Sequence, residues 1–149
     1  MIYLALRKTT PNGIGPKVFA WLTMIRLVTR YPHAGVVIDD VLHQATLKDG
    51  VHFSPFEKEG WDIYPLTIDK SIALNRFQSV NGARYDWFSL LAFILPFRVS
   101  MGSWFYCYEL SYFMITGIIP TQRITPEDLL RITHATNETT APRTMGVVY

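Results

Sequence analysis

The first half of the chain alternates short apolar segments with turn-forming residues, a pattern typical of β-strands. The apolar segments cover residues 2–6, 35–38, 41–45, 50–56 and 61–66. Asp39-Asp40 separates the second segment from the third and predicts a hairpin, and Glu57–Gly60 predicts the turn before the fifth. We expect these segments to form one antiparallel sheet, because tight turns join strands that run in opposite directions.

The remaining segments carry helical spacing or helix start and stop signals. These patterns predict helices over residues 17–30, 67–81 and 87–95, a helix that carries Cys107 between the loop 98–102 and Gly117, and a last helix from Thr125 to about residue 133. Gly82 and Gly117 are expected to end two of them, as glycine does at many helix C-termini. Thr125-Pro-Glu-Asp128 supplies a cap residue, a proline and two acids at the start of the last. The pattern predicts an α+β fold with a single domain over residues 1–134.

Residues 135–149 are predicted to form an extended C-terminal arm rather than part of the domain. The segment is polar as far as Arg143 and has little to bury. Met145-Gly-Val-Val-Tyr149 is apolar and β-prone, which suits the addition of a strand to an exposed sheet edge. We therefore expect Ala135–Tyr149 to be ordered only where it docks, on its own sheet or on an assembly partner, and keep a disordered tail as the alternative. Deleting the arm is expected to leave the stability of a monomer nearly unchanged.

Composition excludes several classes of partner and cofactor. The chain has 149 residues, a net charge of +2 and 49% hydrophobic residues, which favours one compact core and gives no basis for nucleic-acid binding. The longest apolar stretch, Trp87 to Phe97, is too short for a membrane span. One cysteine and four scattered histidines show no metal-ligand spacing, and His52 and His134 lack recognisable partners. No glycine-rich phosphate loop follows a strand, so we expect no cofactor.

The N-terminus predicts where the protein acts. Met1–Lys8 carries its charges after a short apolar run, the reverse of a signal peptide. We expect a protein without an export signal, either cytoplasmic or part of a virion or secretion assembly.

Cys107, the only cysteine, lies at the start of a predicted helix and is the candidate nucleophile. The positive end of a helix dipole favours the thiolate. His33 stands at the mouth of an apolar strand, and a histidine brought next to a thiol supplies a catalytic base. A lone cysteine is also commonly a buried, inert residue, and that alternative stays open at this stage.

Strand parity selects the residue that would orient His33. If Asp39 and Asp40 form a two-residue turn, Gly35 faces Gln44, and Gln44 then shares the face of His33. A three-residue loop would bring His43 to that face instead, because a one-residue slip reverses every side chain. We favour Gln44, whose amide carbonyl can accept the ring proton of His33, and keep His43 as the alternative.

Five short motifs occur in a characteristic order. They are Pro32-His-Ala-Gly-Val36, Gln44-Ala45 followed by Gly50-Val51, Tyr85-Asp86, Phe105-Tyr-Cys-Tyr-Glu-Leu110 and Thr125-Pro-Glu-Asp-Leu129. Together they resemble the circularly permuted branch of the NlpC-type papain-like cysteine hydrolases, which includes relatives of lecithin retinol acyltransferase. In that branch the histidine strand precedes the cysteine helix. Tyr108 and Pro32 stand where its sequences usually have serine.

The resemblance implies a papain-like antiparallel sheet with the nucleophile helix packed on it. It also implies a cysteine peptidase or amidase with Cys107 as nucleophile, His33 as base and Tyr85 as an auxiliary group near the oxyanion. The substrate ranked first is the peptide stem of the bacterial cell wall, so the predicted role is cell wall degradation. A lipid or acyl ester hydrolase or acyltransferase is an alternative. The competing class is a structural or assembly subunit of a virus particle or secretion machine that retains the fold.

Overall fold

The computed structural model describes residues 1–8, 30–84 and 105–140, and every structural statement below concerns these ranges. Five strands are present: β1 Ile2–Arg7, β2 His33–Ile38, β3 Val41–Thr46, β4 Gly50–Pro55 and β5 Trp61–Pro65. The helices are α1 Lys70–Val80, α2 Cys107–Thr116 and α3 Pro126–Thr140. The helices predicted over 17–30 and 87–95 fall outside the described residues, apart from Arg30. Tyr85 and residues 141–149 also lie outside them.

The strands form one sheet in the order β4-β3-β2-β1-β5, and every neighbouring pair is antiparallel. This confirms the predicted α+β class and the predicted antiparallel sheet. The first strand lies between β2 and β5, so Arg7 faces His33 on one side and Trp61 on the other. Residues that are distant in sequence therefore meet at this end of the sheet.

The β2–β3 hairpin turns at Asp39 and Asp40, both of which have positive φ (48° and 64°). Positive φ at both central residues is the geometry of a two-residue turn that matches the twist of the flanking strands. Aspartate is one of the few residues besides glycine that adopt this region, and the Asp39 carboxylate is held by Lys70 and by the N-terminal amine of Met1. Ile38 then faces Val41 and Gly35 faces Gln44, which confirms the predicted register.

The two faces of the sheet carry different residues. One face, here called the helix face, contributes Leu4, Leu6, Ala34 and Val36 to the main core, against which α1 and α2 pack. The opposite face carries a smaller apolar cluster formed by Ala5, Val37 and Leu42, with Tyr3, Phe56, Trp61 and Ile63 against it. His33 and Gln44 belong to this second face, here called the histidine face, because they share the parity of Val37 and Leu42.

Local signals set most helix ends. Gly117, with φ 77°, ends α2 and donates its N–H to the carbonyl of Phe113. Thr125 caps α3: its hydroxyl accepts the N–H of Asp128 (3.2 Å), and its own N–H donates to the Asp128 carboxylate (3.0 Å). Both predicted signals are confirmed. Helix α1 begins later than predicted, after Asp69, whose carboxylate accepts the N–H groups of Ser71 and Ile72.

The last helix continues to Thr140, so its predicted end near residue 133 is wrong. The predicted boundary at residue 134 falls inside the helix, and residues 135–140 are not extended. Tertiary contacts explain the extra length, because Asn137 donates to the carbonyl of Pro65 (2.9 Å) and accepts the N–H of Thr67 (3.2 Å). Deleting residues 135–149 would remove these bonds, so the deletion is now expected to destabilise the monomer.

Gly50 is expected to be the less replaceable of two glycines in this region. Gly50 has φ +66°, and a Cβ there would lie 2.3 Å from the carbonyl oxygen of Ala83, whereas Gly82 has φ +82° with no atom within 4 Å of such a Cβ. We expect Gly50→Ala to lower the free energy of unfolding by about 2–4 kcal/mol and Gly82→Ala by about 1 kcal/mol. Urea denaturation of both variants measures the difference. Equal losses of unfolding free energy in Gly50→Ala and Gly82→Ala would contradict the role assigned to the contact with Ala83.

Candidate active site

Cys107 is the first residue of α2, and its side chain is only 4% exposed. Cys107 packs with Ala34 of β2 in the main core, and the backbone N–H groups of Ala34, Tyr108 and Cys107 itself act to lower the pKa of the thiol. The thiol is therefore held against the start of β2, at the residue that follows His33.

Burial raises the pKa of the Cys107 thiol to about 12, even though the surrounding N–H groups favour the thiolate. The negative charge of Glu109, which is buried in the first turn of the same helix, raises it further. The resting thiol is therefore protonated. This result differs from the expectation based on the helix dipole, because desolvation outweighs the dipole at a site shielded from water.

His33 begins β2 and donates from Nε2 to Oε1 of Gln44 at 2.8 Å. Its ring also meets the indole of Trp61 edge-on, with the ring centroids 5.8 Å apart. Burial lowers the pKa of His33 to about 4; the hydrogen bond that the ring donates to Gln44 opposes this shift, and the positive charge of Arg7 adds to it. The imidazole is therefore neutral at physiological pH and can accept a proton.

His43, the alternative partner of His33, lies on the helix face. Its Nδ1 donates to the carbonyl of Val36 (3.2 Å), and its ring packs edge-on against Phe77 at a centroid distance of 4.6 Å. The side chain is only 5% exposed and belongs to the wall of the main core. The structure brings Gln44, and not His43, to His33.

The thiol and the imidazole approach the start of β2 from different sides. Cys107 packs with Ala34 and Val36 in the main core, whereas the ring of His33 lies on the histidine face with Gln44 and Trp61. Within the described ranges no hydrogen bond joins the Cys107 thiol to the His33 ring. Tyr85, the predicted auxiliary group, lies outside the described residues.

Tyr108 occupies the position where the resembled family has serine, and its side chain is 1% exposed. Its hydroxyl donates to the carbonyl of Tyr31, two residues before His33. The long side chain thus ties the first turn of α2 to the segment that leads into β2. This bond fixes the position of Cys107 relative to the start of the histidine strand.

Two residues missed by the sequence analysis contact Gln44. The amide Nε2 of Gln44 lies 3.1 Å from Oγ of Ser54 and 3.4 Å from Nε2 of His52, both on β4. Strand parity could have found them, because Gln44 faces His52 in the β3–β4 register. The polar side chains of the histidine face therefore form one row across β2, β3 and β4.

The residues that the structure describes include no group of three or more potential metal ligands. None of the described helices is long and apolar enough to cross a membrane. No protein-family model matches the chain, and no curated protein or solved structure is significantly similar to it.

Proposed function

We propose that this chain is a Cys–His hydrolase of papain-like, permuted NlpC type that cleaves an amide bond through an acyl-enzyme on Cys107. One observation carries the proposal. The imidazole of His33 is oriented by Gln44 at 2.8 Å, and the residue that follows His33, Ala34, belongs to the same buried core cluster as Cys107. Acyl transfer by a thiol requires a nucleophile, a base and a residue that orients the base.

The protonation states favour general-base catalysis over a preformed ion pair. The pKa of Cys107 is about 12 and that of His33 about 4, so both groups are neutral at rest. His33 takes the thiol proton as the sulfur attacks the carbonyl carbon, and the N–H of Cys107 binds the oxyanion. The protonated imidazole then gives its proton to the departing amine, and the acyl group remains on sulfur as a thioester. Water hydrolyses the thioester, with His33 again acting as base.

A peptide substrate fits the surroundings of His33 better than a lipid ester does. Arg7 faces His33 across the β1–β2 pair, and its guanidinium lies over the ring of Trp61, 5.7 Å from its centroid. A cation and an aromatic ring beside the base suit a peptide that carries a carboxylate. The peptide stem of the bacterial cell wall has this chemistry and is the substrate we propose first.

The proposal is tested by incubating the protein with a wall stem peptide and, separately, with a fatty acyl ester. We expect cleavage of the stem peptide and an acyl thioester on Cys107, detected by mass spectrometry after acid quenching. His33→Ala should slow turnover at least a hundredfold, because a positioned general base contributes about that much or more. His134→Ala, at an exposed histidine of α3, is the matched control and should retain full activity. Cleavage of the ester alone would show that the substrate is a lipid ester and not a peptide. If neither substrate forms a thioester on Cys107, the proposal of a hydrolase is refuted.

A structural or assembly subunit is the second candidate, and the burial of Cys107 favours it. A thiol that is 4% exposed and has no hydrogen bond to His33 is also what an inert core cysteine shows. In that case alkylation of Cys107 would require unfolding, and its rate would follow the unfolded fraction as urea is added. Acylation by substrate without urea excludes this candidate.

A further inference from the structure

We propose that His52 is a positioning residue which determines, through Gln44, which ring nitrogen of His33 carries the proton. The inference rests on the proposed function only in giving His33 the role of base. The hydrogen bonds themselves do not depend on that role. They run across three strands of the histidine face, from the carbonyl of Gly50 through His52 and Gln44 to His33.

The first step fixes the proton on His52. Its Nδ1 lies 2.9 Å from the carbonyl oxygen of Gly50, and a carbonyl can only accept, so Nδ1 carries the hydrogen. Neutral His52 therefore presents a bare Nε2, which can only accept. The backbone beside this carbonyl is anchored, because the next residue, Val51, forms two backbone hydrogen bonds. Its N–H donates to the Ala83 carbonyl at 2.8 Å, and its carbonyl accepts the N–H of Gly82 at 2.9 Å.

The second step fixes the orientation of the Gln44 amide. Its NH₂ group has two hydrogens and lies 3.4 Å from Nε2 of His52 and 3.1 Å from Oγ of Ser54. A flipped amide would place its carbonyl oxygen against the lone pair of His52 Nε2, which is repulsive. The Ser54 hydroxyl can donate or accept and therefore suits either orientation. Of the two β4 partners, only His52 discriminates between them.

The third step follows at His33. Since the amide oxygen of Gln44 faces its Nε2 at 2.8 Å, that nitrogen must donate and carry the proton. Nδ1 of His33 is then bare and is the one ring atom able to take a proton from a thiol. The opposite tautomer would have no free lone pair on Nδ1, and an incorrectly protonated histidine is a poor base.

The inference predicts different effects for substitutions at the two β4 partners. His52→Phe removes the only directional acceptor, so the amide can turn and His33 becomes a mixture of tautomers. His52→Gln can return a carbonyl oxygen to the position of Nε2 and should restore the wild-type tautomer. Ser54→Ala should leave the tautomer unchanged. The loss of one orienting hydrogen bond in His52→Phe should lower kcat/KM about tenfold, with little change for the other two variants.

The decisive measurement is the nitrogen-15 spectrum of the histidine rings in the full-length protein in mildly alkaline buffer. We expect His33 to be protonated on Nε2 in the wild type, His52→Gln and Ser54→Ala, and to be mixed in His52→Phe. A pure Nε2–H tautomer in His52→Phe, or Nδ1–H in the wild type, would overturn the inference. If His52→Phe is poorly folded by its thermal unfolding curve, His52→Leu replaces it. The spectrum requires no turnover, so the expected tautomers without any hydrolysis would reject the enzyme and leave the role of His52 intact.

Discussion

Replacing Cys107 with serine is expected to lower the turnover of a cleaved amide substrate at least a thousandfold while the chain stays folded. A serine hydroxyl is a weaker nucleophile than a thiol and gives up its proton less readily, so the acyl-enzyme would form much more slowly. In enzymes that use a covalent nucleophile for acyl transfer, removing the nucleophile lowers kcat by at least this factor. Single-turnover kinetics with the stem peptide measures the effect.

The fold should tolerate this change because serine is slightly smaller than cysteine and its hydroxyl can accept the N–H of Ala34 that now faces the sulfur. We expect the free energy of unfolding to change by about 1 kcal/mol or less. Cys107→Ala is the control, since it removes the nucleophile without adding a hydroxyl and should be equally inactive. Activity retained in either variant would assign the chemistry to another residue.

Acidification is expected to destabilise the protein through His33. The pKa of His33 falls from 6.5 to about 4 on folding because the ring is buried, so the unfolded chain binds its proton first as the pH decreases. Above pH 6.5 the His33 ring is neutral in both states and the free energy of unfolding is not reduced. Between pH 6.5 and 4 the free energy of unfolding falls, because the unfolded chain binds the proton and the folded ring does not. Below pH 4 the loss is complete. We expect a loss of about 2–3 kcal/mol, allowing for the solvent that reaches the ring.

Urea unfolding of the wild type and of His33→Gln at a series of pH values checks this prediction. The variant should show a smaller loss over the same interval, because a glutamine at this position does not titrate. His43 has a pKa lowered by burial in the same direction and should account for part of the loss that remains. Identical pH profiles for the two proteins would show that His33 is not held neutral by the fold.

The sequence alone predicts the parts of this protein that depend on near neighbours. Asp39-Asp40 and strand alternation favour Gln44 over His43 on the face of His33, and the 2.8 Å bond between Gln44 and His33 agrees with that register. Gly117 and Thr125 mark helix ends because a left-handed residue and a capping hydroxyl act within one helical turn. These turn and cap residues act on the backbone within a few residues of themselves, and tertiary packing leaves the turn and the helix ends where they predict.

Tertiary structure decides what depends on distant residues. Helix α3 runs on to Thr140 because Asn137 meets Pro65 and Thr67, a contact that no local pattern predicts. His52 has no recognisable partner in the sequence, and it becomes one of two partners of the Gln44 amide only when β4 pairs with β3.

The charge of Cys107 is the clearest case in which the tertiary structure reverses a sequence expectation. A cysteine at a helix N-terminus predicts a thiolate, because the dipole of the following turn is a local property of the chain. The fold instead buries the thiol against β2, and burial raises its pKa to about 12. The sequence therefore determines where the nucleophile lies in its helix, but its protonation depends on how much water the packed sheet and helices leave around it.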